Sequence, residues 1–355
     1  MFVICSTTRV RAKYGSSGEK VLKAVGRLGE VVDVTGQSPE GIRAQIAKLG
    51  AGPACLIGGY DLIPPFMRPN PTYGQSHDDD KDIPTDAPYG AAPGKAVEEY
   101  APSRAVSRIP DDATPDAATF LAMLAHQVAA PKTATPAGSF EEAADEFDGA
   151  ANFVHGAIPG ATTGAKGKPR LSPPAKVADA GLTAKISGKG RFHILLHGAN
   201  FDPDWDSLWG HSSDTNAEFV RALSAQLFDL CDLRGAVVSF SSCYSAMLDI
   251  APATEGARTS KNQVALACLS HGAKVVFGAT RSNWIATAGD FNAFGPALMA
   301  LVWKQLGKGK PAAEALRLAK AAYLKEALSQ NTSDQKYVLK TVLQAQCYGH
   351  AEATL

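Results

Sequence analysis

The chain has 355 residues, 45% of them hydrophobic and 20% charged, with 35 basic and 35 acidic side chains and a formal net charge of +0. This composition supports a full globular core and excludes disorder as the default. With no basic excess, neither nucleic acid nor an anionic membrane surface is an expected partner, and no run approaches the roughly 18–20 apolar residues of a membrane span.

The predicted elements begin with a short strand at Phe2–Cys5. A helix over Gly18–Leu28 carries Val21, Leu22, Val25 and Leu28 on one face. A β-branched strand follows at Glu30–Val34, then a helix at Pro39–Leu49 and an apolar strand at Ala54–Ile57, closed by Gly58-Gly59. This alternation predicts a parallel sheet with crossover helices. Residues 64–104, rich in Pro, Gly and Asp, read as a long irregular excursion. Ala105–Ile109 returns to the sheet and Asp116–Val128 is helical. Residues 131–190 carry little regular signal, and 156–175 read as a flexible loop with the composition of a processing segment.

A second α/β unit starts near residue 191. It has strands at His193–Leu196, Ala236–Phe240 and Lys274–Gly278, and helices at Asn216–Phe228, Gln263–Leu269, Pro296–Leu306 and Ala312–Leu328. The expected organisation is an N-terminal α/β subdomain (1–135), a linking segment (136–190) and a second subdomain (191–355). The N-terminus, Met1-Phe2-Val3-Ile4-Cys5-Ser6, lacks the pattern of a secretory leader, so a cytoplasmic, intracellular location is expected. The 6 Cys are scattered with no CxxC pair, which fits a reducing compartment and argues against a zinc or disulfide framework.

The chemistry concentrates at two predicted strand ends. One strand runs into His197-Gly198 and another into Ser241-Ser242-Cys243. In an open parallel sheet the ligand site lies beyond the carboxyl ends of the strands. A thiol needs a base to become a nucleophile, and a neighbouring imidazole can take its proton and return it to the leaving amine. The backbone N–H groups of Gly198 and Cys243 are candidate oxyanion donors. Taken alone, a Cys after an apolar strand is ordinarily a core residue, and a His before Gly an ordinary loop residue. Both at strand ends, with room between them for one crossover helix, make a candidate pair.

Several motifs in order resemble the gingipain family of the caspase–legumain–gingipain superfamily. These are Leu56-Ile57-Gly58-Gly59-Tyr60-Asp61-Leu62-Ile63-Pro64-Pro65, Thr85-Asp86-Ala87-Pro88-Tyr89-Gly90 and Ser107-Arg108-Ile109-Pro110. Further along come Trp209-Gly210 beyond His197, and Gly272–Thr280 leading to Arg281-Ser282-Asn283-Trp284. The resemblance spans roughly residues 20–350 and is weak at 131–190. It implies an α/β caspase-like three-layer sandwich with mostly parallel sheets, and a bacterial thiol protease: a cysteine endopeptidase using Cys243 and His197. Departures are Tyr348-Gly349-His350-Ala351 where the family often closes with Tyr/Phe-Gly-Asp-Pro, Ser242 in place of the commoner Ala, and a longer loop with Asp202, Asp204 and Asp206.

The resemblance also implies a Glu orienting the imidazole, assigned to Glu141 with Glu142 as alternative. It implies an Asp selecting P1 Arg or Lys, assigned to Asp148 with Asp145 as alternative. The ordinary reading of these acids is a solvated helix start. Trp284 and Trp209 are expected to flank the substrate, and Arg281, if turned into the pocket, would favour an acidic P1. No cofactor is expected. The expected partners are a protein or peptide substrate and a regulatory protein. The alternative is the same fold used without catalysis as a binding module. The run His77-Asp78-Asp79-Asp80-Lys81-Asp82 is expected to be a solvated loop rather than a calcium site, and His211 and His271 are expected to be structural.

Overall fold

The computed structural model describes the chain except residues 76–77, 162–167, 201–205, 213, 215–216, 249–256, 286–292 and 330–334. The strands of the N-terminal half are β1 (Phe2–Cys5), β2 (Glu30–Asp33), β3 (Ala54–Ile57), β4 (Phe66–Pro69), β5 (Asp82–Thr85) and β6 (Val106–Ile109). Then come β7 (Ser139–Ala144), β8 (Arg170–Ser172), β9 (Arg191–Leu195), β10 (His197–Gly198), β11 (Ser207–Gly210) and β12 (Val220–Ser224). The last three are β13 (Val237–Phe240), β14 (Val275–Ala279) and β15 (Ala345–Gly349).

One ten-stranded sheet runs in the order β2-β1-β3-β6-β15-β14-β13-β9-β7-β8. Its pairs are parallel except β14/β15, where the two halves meet head to tail. The chain thus forms two parallel α/β units joined by its own C-terminal strand. Side chains alternate between two cores, as a strand buried on both faces requires. Val238 and Val276 enter one core with Phe120 and Leu266. Val237, Val275 and Phe277 enter the other with Leu298, Trp303 and Leu316. The result is a three-layer α/β sandwich. Local signals set the helix starts: Asp116 accepts the N–H groups of Ala118 and Thr119, and Ser38 accepts that of Gly41 with Pro39 at the first position. Among the described residues no helix is long and apolar enough to cross a membrane.

Three expectations are corrected. The stretch 131–190, read as carrying little regular structure, supplies β7 and β8 at the sheet edge and the helix Asp148–His155. Within 64–104, β4 and β5 form an antiparallel pair. The predicted helix Asn216–Phe228 is instead the strand β12 followed by one turn, Ala225–Phe228. Phe219, Leu223 and Leu227 have helical spacing, but Leu208 and Trp209 pair with β12 and take its backbone groups. Part of the proposed processing loop, 162–167, and Asn216 lie outside the described residues.

Candidate active site

The site begins with sheet register. β9 and β13 are adjacent and parallel, with Phe240 opposite Ile194. Both strands therefore end at the same edge, and His197 and Cys243 follow a few residues on. Ser242 stitches the two exits together, its hydroxyl accepting the Leu196 N–H at 3.1 Å. The exits touch directly: an ideal Cβ on Gly198 would lie 2.0 Å from the Cys243 carbonyl oxygen. Only a residue without a side chain allows the backbone after His197 to come this close.

Cys243 sits on a strained turn. The next residue, Tyr244, has φ +54°, the left-handed region that costs a non-glycine residue roughly 1–3 kcal/mol. Two anchors hold it: its N–H bonds Arg281 O at 3.1 Å and its hydroxyl donates to Asp80 at 2.8 Å. The thiol lies against Asn283, whose N–H reaches Sγ at 3.1 Å. The Asn283 side chain is itself locked, donating to Ser241 O at 2.9 Å and accepting from Gln344 at 3.0 Å. Burial raises the thiol above its ordinary pKa, against lowering by the Asn283 N–H and the Lys340 charge.

His197 is oriented by Glu146. Its Nε2 lies 2.5 Å from Glu146 Oε1, and Phe147 and Phe219 pack on the ring at 4.9 and 5.1 Å. Burial lowers the imidazole pKa more than Glu146 raises it. A raised thiol and a lowered imidazole favour the neutral forms of both groups at rest. With Nε2–H donating to Glu146, the other ring nitrogen, Nδ1, carries the lone pair.

Other expected residues take different places. Glu141 does not orient His197: it is 2.6 Å from His155 Nδ1. Glu142 pairs with Arg170 inside the protein. The cause is register, since Glu141 stands opposite His193 in the middle of the β7/β9 ladder, below the strand tips. Asp148 accepts from Asn152 at 2.7 Å, and Asp145 is 3.3 Å from the Ser212 hydroxyl. Both flank Glu146 in the chain. Arg281 is buried against the N-terminal half: it donates to Asp82 O at 2.8 Å and lies 3.5 Å from Asp80. Trp284 packs edge-on against Tyr337 at 4.8 Å. Trp209 pairs with His197 across β10/β11 and lines a cavity of about 390 Å³ with His197, Gly198, Phe219 and Tyr244.

Sequence reasoning missed two features. Glu146 is one. The acidic run is the other: Asp78 is 1% exposed, ion-paired with buried Lys340, and accepts from Asn70, Thr72 and Ser282. Asp80 accepts from both Tyr244 and the Ser282 N–H. The run therefore clamps the two loops that hold the thiol. His77, Asp202 and Asp204 lie outside the described residues, and Asp206 pairs with Arg221.

No family model matches the chain, and no curated protein matches it in sequence. Solved structures do match in shape. The chain superposes along its whole length on 78% of the Arg specific cysteine proteinase gingipain R (RGPB), with a TM-score of 0.59 at 10% identity. In the complex of Porphyromonas gingivalis RgpB pro- and mature domains it covers 79% of the matched chain, with a TM-score of 0.58 at 10% identity. A structure described as a protease gives 0.61 at 12% identity, with 78% of that chain covered. The chain has the gingipain-like, caspase-type α/β fold.

Proposed function

We propose that the chain is a cysteine endopeptidase in which Cys243 attacks the scissile carbonyl and His197 transfers the proton. The observation that carries this reading is the contact of Gly198 with Cys243 at paired strand exits, with Glu146 on the outer nitrogen of His197. His197 Nδ1 takes the Sγ proton as sulfur bonds to the carbonyl carbon. The oxyanion meets the N–H groups of Gly198 and Cys243. The tetrahedral adduct expels the amine, which leaves with the proton from Nδ1, and water hydrolyses the thioester by the reverse sequence. In this reading 191–355 carries the reacting pair, 136–190 contributes the orienting acid, and 1–135 buttresses the thiol loop through Asp78 and Asp80.

A P1 Arg or Lys is favoured by Asp145 and Asp148, both half-buried beside Glu146, and by the specificity in the name of gingipain R. A second reading rests on the aromatic cavity of Trp209, Phe219 and Tyr244 beside the imidazole, which suits an apolar side chain. A pro-domain-like regulatory partner fits the complex known for that neighbour. The test is a peptide library with Arg, Lys, Asp, Asn or Phe at P1, cleaved by wild type beside Cys243→Ala. Cleavage lost in the variant supports the assignment. Equal cleavage by both, or a Cys243 thiol inert to alkylating probes in native protein, moves the chain to a non-catalytic binding role.

A further inference from the structure

Resting on that reading, we infer that Glu146, His197 and His211 form a zinc site that switches the peptidase off by capturing the proton-transfer imidazole. One carboxylate oxygen, Glu146 Oε1, stands 2.5 Å from His197 Nε2 and 3.2 Å from His211 Nδ1. All three ligand atoms lie within 4.8 Å of one another. Ligands at zinc's usual 2.0–2.1 Å, arranged tetrahedrally, are about 3.3 Å apart, so modest rotations of the side chains open this cluster around an ion. Two imidazoles and one carboxylate leave a fourth position for water. That donor set suits zinc over calcium or magnesium, which prefer all-oxygen shells.

The second observation concerns His211. Its Nε2 is 3.1 Å from the Ala217 carbonyl, and a carbonyl only accepts, so Nε2 carries the proton. In the neutral ring Nδ1 is then a lone pair, and it faces the lone pairs of Glu146 Oε1 at 3.2 Å. Nδ1 is thus the His211 nitrogen placed to ligate, on the same carboxylate oxygen that His197 Nε2 meets. A backbone carbonyl fixing the tautomer of the outer nitrogen is the usual support of a metal-bound His. Phe219 stacks on His211 at 4.5 Å and Phe147 packs on His197, which holds the two rings in place. The Glu146 N–H also bonds the His211 carbonyl at 3.3 Å, tying the two ligand segments together.

The consequence for catalysis follows from proton positions. Zinc on His197 Nε2 replaces the proton shared with Glu146. A neutral zinc-bound ring carries its proton on Nδ1, the nitrogen that must accept from Sγ. The thiol then has no base, and activity stops without the metal touching sulfur.

The test uses full-length Cys243→Ala, which removes the competing thiol, titrated with zinc by calorimetry and with cobalt(II) by visible spectroscopy. One high-affinity site is expected, with an intense four-coordinate cobalt band and no thiolate-to-cobalt transition. Adding His211→Ala weakens zinc on the order of 100-fold, since even supporting residues cost 10–100-fold. His211→Asn serves the same purpose if the alanine variant folds poorly. In the Cys243-containing enzyme, zinc inhibition reversed by chelator shifts by the same factor in His211→Ala. Absence of a zinc site in Cys243→Ala, or affinity and inhibition unmoved by the His211 variants, overturns the inference. Zinc binding with these properties in a chain that cleaves no peptide overturns the peptidase reading and the switch drawn from it, while the metal site stands.

Discussion

Replacing Gly198 by alanine tests the site at its tightest point. The new methyl carbon would lie 2.0 Å from Cys243 O and 3.0 Å from the Cys243 carbonyl carbon. Real Cβ atoms keep at least 3.0 Å from other heavy atoms, so the two strand exits must separate by an ångström or more. The obstacle is backbone on both sides, with no flexible side chain to swing away. An ångström of misplacement between reacting groups costs about 100-fold, or about 2.7 kcal/mol of barrier. Overpacking also costs roughly 1–3 kcal/mol of stability. A matched control separates these effects: in Gly190→Ala the Cβ would lie 1.9 Å from Pro136 O, at the start of β9 and away from the site. Both variants should melt a few degrees lower. Only Gly198→Ala should lose about 100-fold in kcat/KM on a fluorogenic peptide and in the alkylation rate of Cys243, per folded molecule. If Gly198→Ala keeps kcat/KM within a factor of three of Gly190→Ala, the Gly198–Cys243 contact is not part of the reacting geometry and the proposed oxyanion donor goes with it.

Glu146→Gln should lower kcat about 10²–10⁴-fold with little change in KM, the range set by loss of an oriented base. Glu141→Gln should lower the melting temperature through the His155 pair and leave kcat near wild type, and the opposite pattern would restore Glu141 as the orienting acid. Lys340→Met leaves Asp78 buried without its cation and should cost about 3–5 kcal/mol in chemical denaturation. Asp78→Asn with Lys340→Met should cost less, so equal losses would mean that the unpaired carboxylate is not what destabilises the single variant. Acid should destabilise the fold through His193. This ring donates from Nδ1 to Ser239 at 2.9 Å, and its buried Nε2 has no partner among the described residues. Burial depresses its pKa to about 3, so the folded ring is neutral where the unfolded one is charged. Its stability contribution is therefore complete above pH ~6.5 and is lost as pH falls toward 3, at about 1.4 kcal/mol per pH unit. His193→Gln, which keeps a donor for Ser239 but does not titrate, should flatten that slope. Parallel slopes would remove His193 as the cause.

The parts legible in the sequence are those carried by local pattern. Apolar runs at Ala54–Ile57 and Ala236–Phe240, followed by Gly-Gly and Ser-Ser-Cys, announce buried parallel strands and their exits. That His197 and Cys243 leave the sheet at the same edge was legible because each follows such a run within a few residues, and adjacent parallel strands bring their exits together. The buried acidic run was not legible. Asp78 depends on Lys340, on a helix that follows it by most of the chain, and nothing near residue 78 records that partner. β15 is similar: five residues close the sheet between β6 and β14 through long-range pairing alone.

The orienting acid shows what register adds to pattern. Glu141, Glu142, Asp145 and Glu146 lie close together in the chain, and composition cannot choose among them. Once β7 is seen to pair in parallel with β9, the choice narrows. Glu141 stands opposite His193 and Ala143 opposite Leu195, so His197, two residues beyond Leu195, lies level with about residue 145. Glu141, four residues lower in the ladder, faces His155 on the following helix, and only a side chain at 145 or 146 reaches the tip. Of those two, Asp145 lies near the Ser212 hydroxyl, and Glu146 meets both His197 and His211. The residue that sets the tautomer of the proposed base is thus selected by ladder position and side-chain reach. The same position, opposite a second imidazole, puts that base within reach of a metal ion.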